Sequence, residues 1–127
     1  MLLADGRTIL PEQVLGPERK GLNIVFSGDT SPCAPLAEAA GEADLFICEA
    51  TYGEDSYSDQ AEKYGHCTFS QTAQLAADAN VKRLWLAHFS QIMEDPEEFL
   101  PNAKAFFPNA VCGSDGMCIT LRFEESF

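Results

Sequence analysis

Three segments decide the fold of this chain: LNIVFSGDT at residues 22–30, DLFICEAT at residues 44–51 and RLWLAHFS at residues 83–90. Each segment begins with a short apolar run, and such runs are typical of strands that are buried on both faces of a parallel sheet. Each run then stops at a side chain that can bind a metal ion or transfer a proton. The pattern predicts an α/β fold built from βαβ units.

The side chains that follow the three apolar runs are Asp29, Glu49 and His88. In open sheets of parallel strands, sites form in the crevice beyond the carboxyl ends of the strands. We therefore expect these residues to form one site, although they are far apart in the sequence. Each also has a simpler explanation when taken alone: Asp29 as a helix cap, Glu49 as a solvated carboxylate and His88 as a buried structural histidine.

Two helices are predicted between the strands. The first covers residues 32–40, with a proline in its first turn and with Thr30 or Ser31 as its cap. The second covers residues 69–80, with Thr68 as its cap and an apolar face that recurs at helical spacing. These helices supply the crossover connections that a parallel sheet needs.

The remaining segments carry weaker signals. Residues 1–21 read as irregular or short-stranded, and the polar stretch 52–65 reads as a long loop beside the expected site. A further helix is predicted at residues 96–107, because the segment begins with a proline followed by carboxylates. Residues 117–123 predict a last strand after a Ser-Asp-Gly turn.

Length and composition indicate one soluble globular domain. The chain has 127 residues, of which 46% are hydrophobic and 22% are charged. No apolar run is long enough to span a bilayer, so no membrane association is expected. The first residues lack a basic segment followed by a long apolar segment, which leads us to expect a cytoplasmic location.

The charge distribution disfavours direct binding of nucleic acid. The net charge is −12, and residues 21–62 contain nine carboxylates but no lysine or arginine. Such a surface repels phosphate backbones. If the substrate is RNA, its basic contacts must come from elsewhere.

The five cysteines do not form a recognisable framework. They are odd in number, and no two of them have the C-x-x-C spacing. This argues against a set of disulfides and against a structural zinc knuckle. We expect most of them to be small buried apolar residues.

Taken in order, the motifs of this chain resemble those of ribonuclease Z, the tRNA 3′-processing endonuclease family of the metallo-β-lactamase superfamily. The matching motifs are GDT at 28–30, EAT at 49–51, GHCT at 65–68 and HFS at 88–90. The resemblance implies that the chain is the C-terminal half of an αββα sandwich. It would then form a single partial domain over residues 1–127.

The resemblance also implies roles for individual residues. Asp29 matches the aspartate that bridges two zinc ions, and His88 matches the last zinc-binding histidine. His66 resembles the histidine of the family's His-Ser-Thr motif, which transfers a proton near the scissile phosphate, and Glu49 falls in the family's His-Glu-Ala-Thr motif. We therefore expect Asp29 and His88 to be metal ligands and His66 and Glu49 to be catalytic. The simpler explanation of His66 is a loop residue ahead of a capped helix.

The chain departs from the family pattern in several places. Cys48 stands where the family has the histidine of His-Glu-Ala-Thr, and Cys67 stands where it has serine. An arginine usual after His-x-Ser is absent. The chain also lacks the family's main zinc motif, His-x-His-x-Asp-His, and a further ligand histidine. Two ligands are too few for a dinuclear site, so we expect the isolated chain to be inactive.

The resemblance therefore predicts part of a zinc-dependent endoribonuclease that cleaves tRNA precursors at the 3′ end. An uncovered sheet face predicts association, most simply as a homodimer. Two alternatives remain open. One is another hydrolase of the same fold, arylsulfatase-like or acting on phosphodiesters. The other is a non-catalytic α/β module that acts through an interface.

Overall fold

A computed structural model describes residues 1–123 of the chain. The strands are β1 (Ile24–Phe26), β2 (Leu45–Glu49), β3 (Leu84–Ala87) and β4 (Val111–Cys112). The α-helices are α1 (Pro11–Val14), α2 (Ala34–Ala40), α3 (Ser58–Tyr64), α4 (Phe69–Asp78) and α5 (Leu100–Lys104), and two 3₁₀ segments cover Asp55–Tyr57 and Pro96–Phe99. The sheet order is β1-β2-β3-β4, and every neighbouring pair is parallel. The expected α/β class is confirmed.

One face of the sheet packs against helices. The inward side chains Phe46, Cys48, Leu84 and Leu86 alternate along β2 and β3, as the pleat of a strand requires. All four are fully buried in one core cluster, which also contains apolar residues of α2 and α4. Burial of this face fixes the register of the sheet, because a slip of one residue would turn every core side chain outward.

The opposite face of the sheet is uncovered on its two edge strands, whereas Leu45 of β2 is buried there. On β1, Ile24 and Phe26 are 51% and 71% exposed, and Val111 on β4 is also exposed. One apolar face packed against helices and one left open is the arrangement expected of half an αββα sandwich.

The prediction of a loop at residues 52–65 is wrong. This stretch forms the 3₁₀ segment Asp55–Tyr57 and helix α3, which ends at Gly65 with a left-handed backbone of φ 74°. Only Ala61 of α3 is buried, so the sequence carries almost no apolar periodicity. The segment is ordered by other contacts, among them a ring stack of Tyr52 on Tyr57 at 5.3 Å.

Two predictions near the C-terminus also need correction. The helix expected at residues 96–107 is split into the 3₁₀ segment Pro96–Phe99 and the short α5. Pro101 lies in the first turn of α5, where its missing N–H prevents a continuous helix. The strand expected at 117–123 does not form, and the fourth strand is β4, which pairs with Trp85 and Leu86 of β3.

Of the two helix caps predicted from the sequence, one is present in the structure. Thr68 caps α4, since its Oγ1 accepts a hydrogen bond from the backbone N–H of Gln71. Helix α2 begins two residues later than expected and makes no side-chain cap hydrogen bond. The cap expected at Thr30 or Ser31 is therefore wrong, and the residue at the cap position is Cys33.

None of the helices within residues 1–123 is long and apolar enough to cross a membrane.

Candidate catalytic and metal site

The carboxyl ends of β1, β2 and β3 bring the predicted side chains together. Glu49 is the last residue of β2 and pairs with Ala87, the last residue of β3, so that His88 follows directly. Asp29 follows β1 after a turn at Gly28, whose φ is 63°. His88 has a φ of 59°, an uncommon left-handed backbone for a residue other than glycine. This conformation turns the chain sharply at the end of β3.

Glu49 is the buried centre of the site. Its side chain is only 2% exposed and accepts hydrogen bonds at both oxygens. Oε1 accepts from the backbone N–H of Thr30 at 3.1 Å and from Nδ1 of His66 at 2.6 Å. Oε2 accepts from Thr51 N at 3.1 Å, Thr51 Oγ1 at 2.9 Å and Cys67 N at 3.0 Å. All five partners are donors, which suits a carboxylate that must stay charged without water.

The position of Glu49 excludes its simpler explanation as a solvated carboxylate. The backbone of the residue is held as tightly as its side chain. Its N–H donates to Ser27 Oγ at 2.9 Å, and its carbonyl accepts from Thr72 Oγ1 at 2.7 Å. These bonds connect the residue to the turn after β1 and to helix α4.

His66 is oriented by Glu49. Its Nδ1 lies 2.6 Å from Oε1 of Glu49 and acts as the donor. Its Nε2 has no hydrogen-bond partner among the described residues, and the side chain is 18% exposed. The ring also stacks on the ring of His88, with centroids 5.4 Å apart. This leaves one ring nitrogen able to exchange a proton at the mouth of the site.

His88 lies between Thr51 and Asp29. Its Nδ1 is 3.0 Å from Thr51 Oγ1, and its Nε2 is 3.4 Å from Oδ1 of Asp29. The side chains of His88 and Asp29 are both at least half exposed. The sequence identifies Thr51 only as part of the Glu-Ala-Thr motif and does not predict its contacts with Glu49 and His88. The Glu-x-Thr spacing at a strand end was the available signal.

The separation of Asp29 and His88 suits a shared metal ion. Two ligand atoms at about 2.0–2.1 Å from a tetrahedral zinc ion lie about 3.3–3.4 Å apart. The observed 3.4 Å between Nε2 and Oδ1 has this value. The assignment of these two residues as metal ligands agrees with this spacing and remains a prediction.

A second grouping offers metal-binding atoms nearby. Glu49, His66 and His88 each present one atom, and these atoms lie within 4.8 Å of one another. However, the oxygens of Glu49 already accept five hydrogen bonds, and Nδ1 of His66 is one of the donors. Metal binding to an oxygen of Glu49 would compete with those bonds. Oδ1 of Asp29 and Nε2 of His88 are free of that competition, and their assignment as metal ligands remains a prediction.

Cys48 and Cys67 lie behind the site as free thiols. Both are fully buried. The neighbouring Cys48 sulfur and burial raise the pKa of the Cys67 thiol, whose Sγ donates to the carbonyl of Thr30 at 3.2 Å. All five cysteines of the chain are free, and Cys33 and Cys118 are exposed. Cys48 and Cys67 therefore fill space beside Glu49.

The fold and the strand-end site define the class of this protein. Residues 13–89 match the family model described as the beta-lactamase superfamily domain. The match covers more than half of the chain, and the chain belongs to this family.

Within this family, the chain is most informatively compared with ribonuclease Z proteins. The chain is 48% identical over 120 residues to ribonuclease Z of Clostridium novyi (strain NT), which covers 94% of this chain and 39% of that protein. It is 42% identical over 122 residues to ribonuclease Z of Lachnoclostridium phytofermentans, covering 96% of this chain and 40% of that protein. The crystal structure of human tRNase Z, short form, is similar with a TM-score of 0.63 and 31% identity, covering 80% of this chain and 34% of that one. The expected resemblance to ribonuclease Z is confirmed.

The matched relatives are much longer than this chain. The chain spans about 40% of the length of the curated ribonuclease Z proteins. It therefore corresponds to part of such a protein.

The hydrogen bonds of Glu49 predict its contribution to stability. In Glu49→Gln, the amide NH₂ would face groups that are themselves donors, so a buried hydrogen bond would be replaced by a repulsive contact. We expect the free energy of unfolding to fall by about 1–3 kcal/mol. Urea denaturation of the 127-residue chain measures the change.

Glu38→Gln is the matched control, because it removes the same charge from an exposed site on α2. We expect this control to change the free energy of unfolding by only a few tenths of a kcal/mol. Equal effects of the two substitutions would show that the buried network around Glu49 adds no stability.

Proposed function

We propose that this chain supplies part of the active site of a zinc-dependent endoribonuclease that cleaves tRNA precursors at the 3′ end. The observation that carries the proposal is the connected network from His66 through Glu49 and Thr51 to His88 and Asp29. The network gives one ring nitrogen for proton transfer and two groups for a metal ion. The similarity to ribonuclease Z over more than nine-tenths of the chain supports the substrate class.

In this proposal, Asp29 and His88 hold zinc, together with ligands from a region outside this chain. Their exposed side chains leave room for such ligands. When bound, a pair of zinc ions supplies Lewis-acid stabilisation of the phosphoryl oxygens and activation of the attacking water. Asp29 and His88 alone are too few to complete such a site, so the isolated chain is inactive in this proposal.

His66 acts as the proton donor to the leaving oxygen. Its Nδ1–H is fixed on Glu49, so the proton is transferred at Nε2, the ring nitrogen with no partner among the described residues. The bond to Glu49 also fixes the orientation of the ring for this transfer. Because Glu49 is buried and bonded to His66, this proposal gives it a positioning role and keeps the catalytic role, expected of both residues, for His66 alone.

The acidic character of the chain is compatible with this substrate. A net charge of −12 does not bind RNA by itself. The remainder of the enzyme would therefore provide the basic contacts to tRNA. Processing of tRNA precursors also implies the cytoplasm as the working compartment.

A chimera tests the proposed function and the roles together. This chain replaces the matching 39% of Clostridium novyi ribonuclease Z, and cleavage of a precursor tRNA is measured with zinc content. We expect cleavage by the unaltered chimera. Asp29→Ala and His88→Ala should lose zinc and activity together, because each removes a ligand. His66→Ala should keep zinc and lower turnover by about 10²- to 10⁴-fold.

Glu38→Gln in the same chimera is the control and should leave both readouts unchanged. A chimera that binds zinc but leaves precursor tRNA intact would contradict the proposed substrate. Near-full turnover in His66→Ala would remove its catalytic role and restore its simpler explanation as a loop residue.

We also propose that the isolated chain forms a two-fold dimer through the open sheet face. Ile24, Phe26 and Val111 expose apolar surface there, and burial of such surface drives association. Phe26→Lys should shift sedimentation towards the 13.9 kDa monomer. Phe106→Lys alters an exposed aromatic residue on the helix side and should leave the dimer intact. A monodisperse monomer of the unaltered chain would contradict the proposal.

A further inference from the structure

Thr51 joins the two halves of the site. Its side chain is almost fully buried, and its Oγ1 lies 2.9 Å from Oε2 of Glu49 and 3.0 Å from Nδ1 of His88. We propose that Thr51 is a positioning residue that holds His88 in the tautomer with hydrogen on Nδ1 and a free lone pair on Nε2. The inference concerns metal binding, and its use in catalysis rests on the proposed function.

The number of hydrogens fixes the direction of the bonds. A threonine hydroxyl has one hydrogen to donate. Thr51 donates it to Oε2 of Glu49, a carboxylate oxygen that can only accept. The hydroxyl then meets Nδ1 of His88 with a lone pair, so Nδ1 must carry a hydrogen. A neutral imidazole has only one N–H, which leaves Nε2 without one.

The free nitrogen lies where a metal ligand is needed. Nε2 of His88 faces Oδ1 of Asp29 at 3.4 Å. In the reverse arrangement the Thr51 hydroxyl would donate to Nδ1, and Oε2 of Glu49 would lose the hydrogen bond that this hydroxyl donates. That arrangement would also place a hydrogen on Nε2 and block that position to a metal ion. The charge of Glu49 therefore selects the metal-binding tautomer of His88 through the hydroxyl of Thr51.

Backbone hydrogen bonds hold the segments that carry Glu49, Thr51 and His88 next to each other. Beyond the sheet, the N–H of Ser90 donates to the carbonyl of Thr51 at 2.9 Å, and the N–H of Ala50 donates to the carbonyl of Ala87 at 2.8 Å. These bonds continue the pairing of β2 and β3 past their ends. One of these bonds precedes the sharp turn at His88 and the other follows it, so the backbone holds Thr51 opposite His88.

The tautomer can be read directly in the metal-free 127-residue chain. Long-range ¹H–¹⁵N correlation of the imidazole nitrogens, at about pH 8.5 where ordinary histidine is neutral, reports which nitrogen carries the hydrogen. We expect Nδ1–H for His88, the opposite of the tautomer that free histidine favours. An Nε2–H form, or an even mixture of the two, would overturn the proposal without any variant being made.

Two variants test the cause. Thr51→Ser keeps the hydroxyl and should keep the Nδ1–H tautomer of His88. Thr51→Val keeps the shape and removes the hydroxyl, so His88 should lose this preference. His66 is an internal control, because its own Nδ1 bond to Glu49 does not involve Thr51. An unchanged His88 tautomer in Thr51→Val, or its loss in Thr51→Ser, would overturn the proposal.

Zinc chloride added to the same samples gives a second readout. Loss of a group that orients a ligating histidine costs about 10- to 100-fold in metal affinity. The zinc affinity is obtained from the chemical shifts of His88 during the titration. We expect it to fall by about 10- to 100-fold in Thr51→Val and by less than about twofold in Thr51→Ser. Equal zinc affinity in Thr51→Val and the unaltered chain would overturn the positioning role. These measurements use no RNA, so a chimera that fails to cleave tRNA would leave them standing.

Discussion

A buried carboxylate that must be fully hydrogen-bonded constrains the rest of this structure. An ionised side chain removed from water is costly unless every lone pair meets a donor. The donors to Glu49 come from three separate segments, represented by Thr30 after β1, Thr51 after β2 and His66 with Cys67 before α4. The parallel sheet brings these segments to one edge. The same bonds that compensate burial of the charge orient the chemically active rings.

The general plan of the molecule could be predicted from its sequence because two simple regularities apply. Short apolar runs marked the first three strands, and parallel strands place their carboxyl ends at one edge. These rules predict that Asp29, Glu49 and His88 lie together, and the structure places them at one edge of the sheet. The roles assigned to these residues go beyond the rules and remain predictions.

The features that could not be predicted depend on contacts between distant residues. Helix α3 buries only Ala61, so no apolar period marks it. Strand β4 has two residues, too few for any pattern, and it forms because Val111 and Cys112 meet β3. Thr51 is an ordinary threonine in sequence and gains its role only from the two side chains it contacts.

The two cysteines show how the site tolerates departures from the family motifs. Cys67 contributes its backbone N–H to Glu49, and a backbone donor is independent of the side chain. Cys48 faces the helix side of the sheet, where a small apolar group is suited to the core. The side chains at positions 48 and 67, where the resemblance implies histidine and serine, therefore take no part in the five hydrogen bonds of Glu49.

The central claim is that Glu49 organises the site as a hydrogen-bonded carboxylate and leaves metal binding to Asp29 and His88. Anomalous diffraction at the zinc edge, from crystals of the chimera, locates the metal directly. The account predicts a peak within bonding distance of Nε2 of His88 and an oxygen of Asp29, with Glu49 still bound to His66. A peak coordinated by Glu49, His66 and His88 would contradict it.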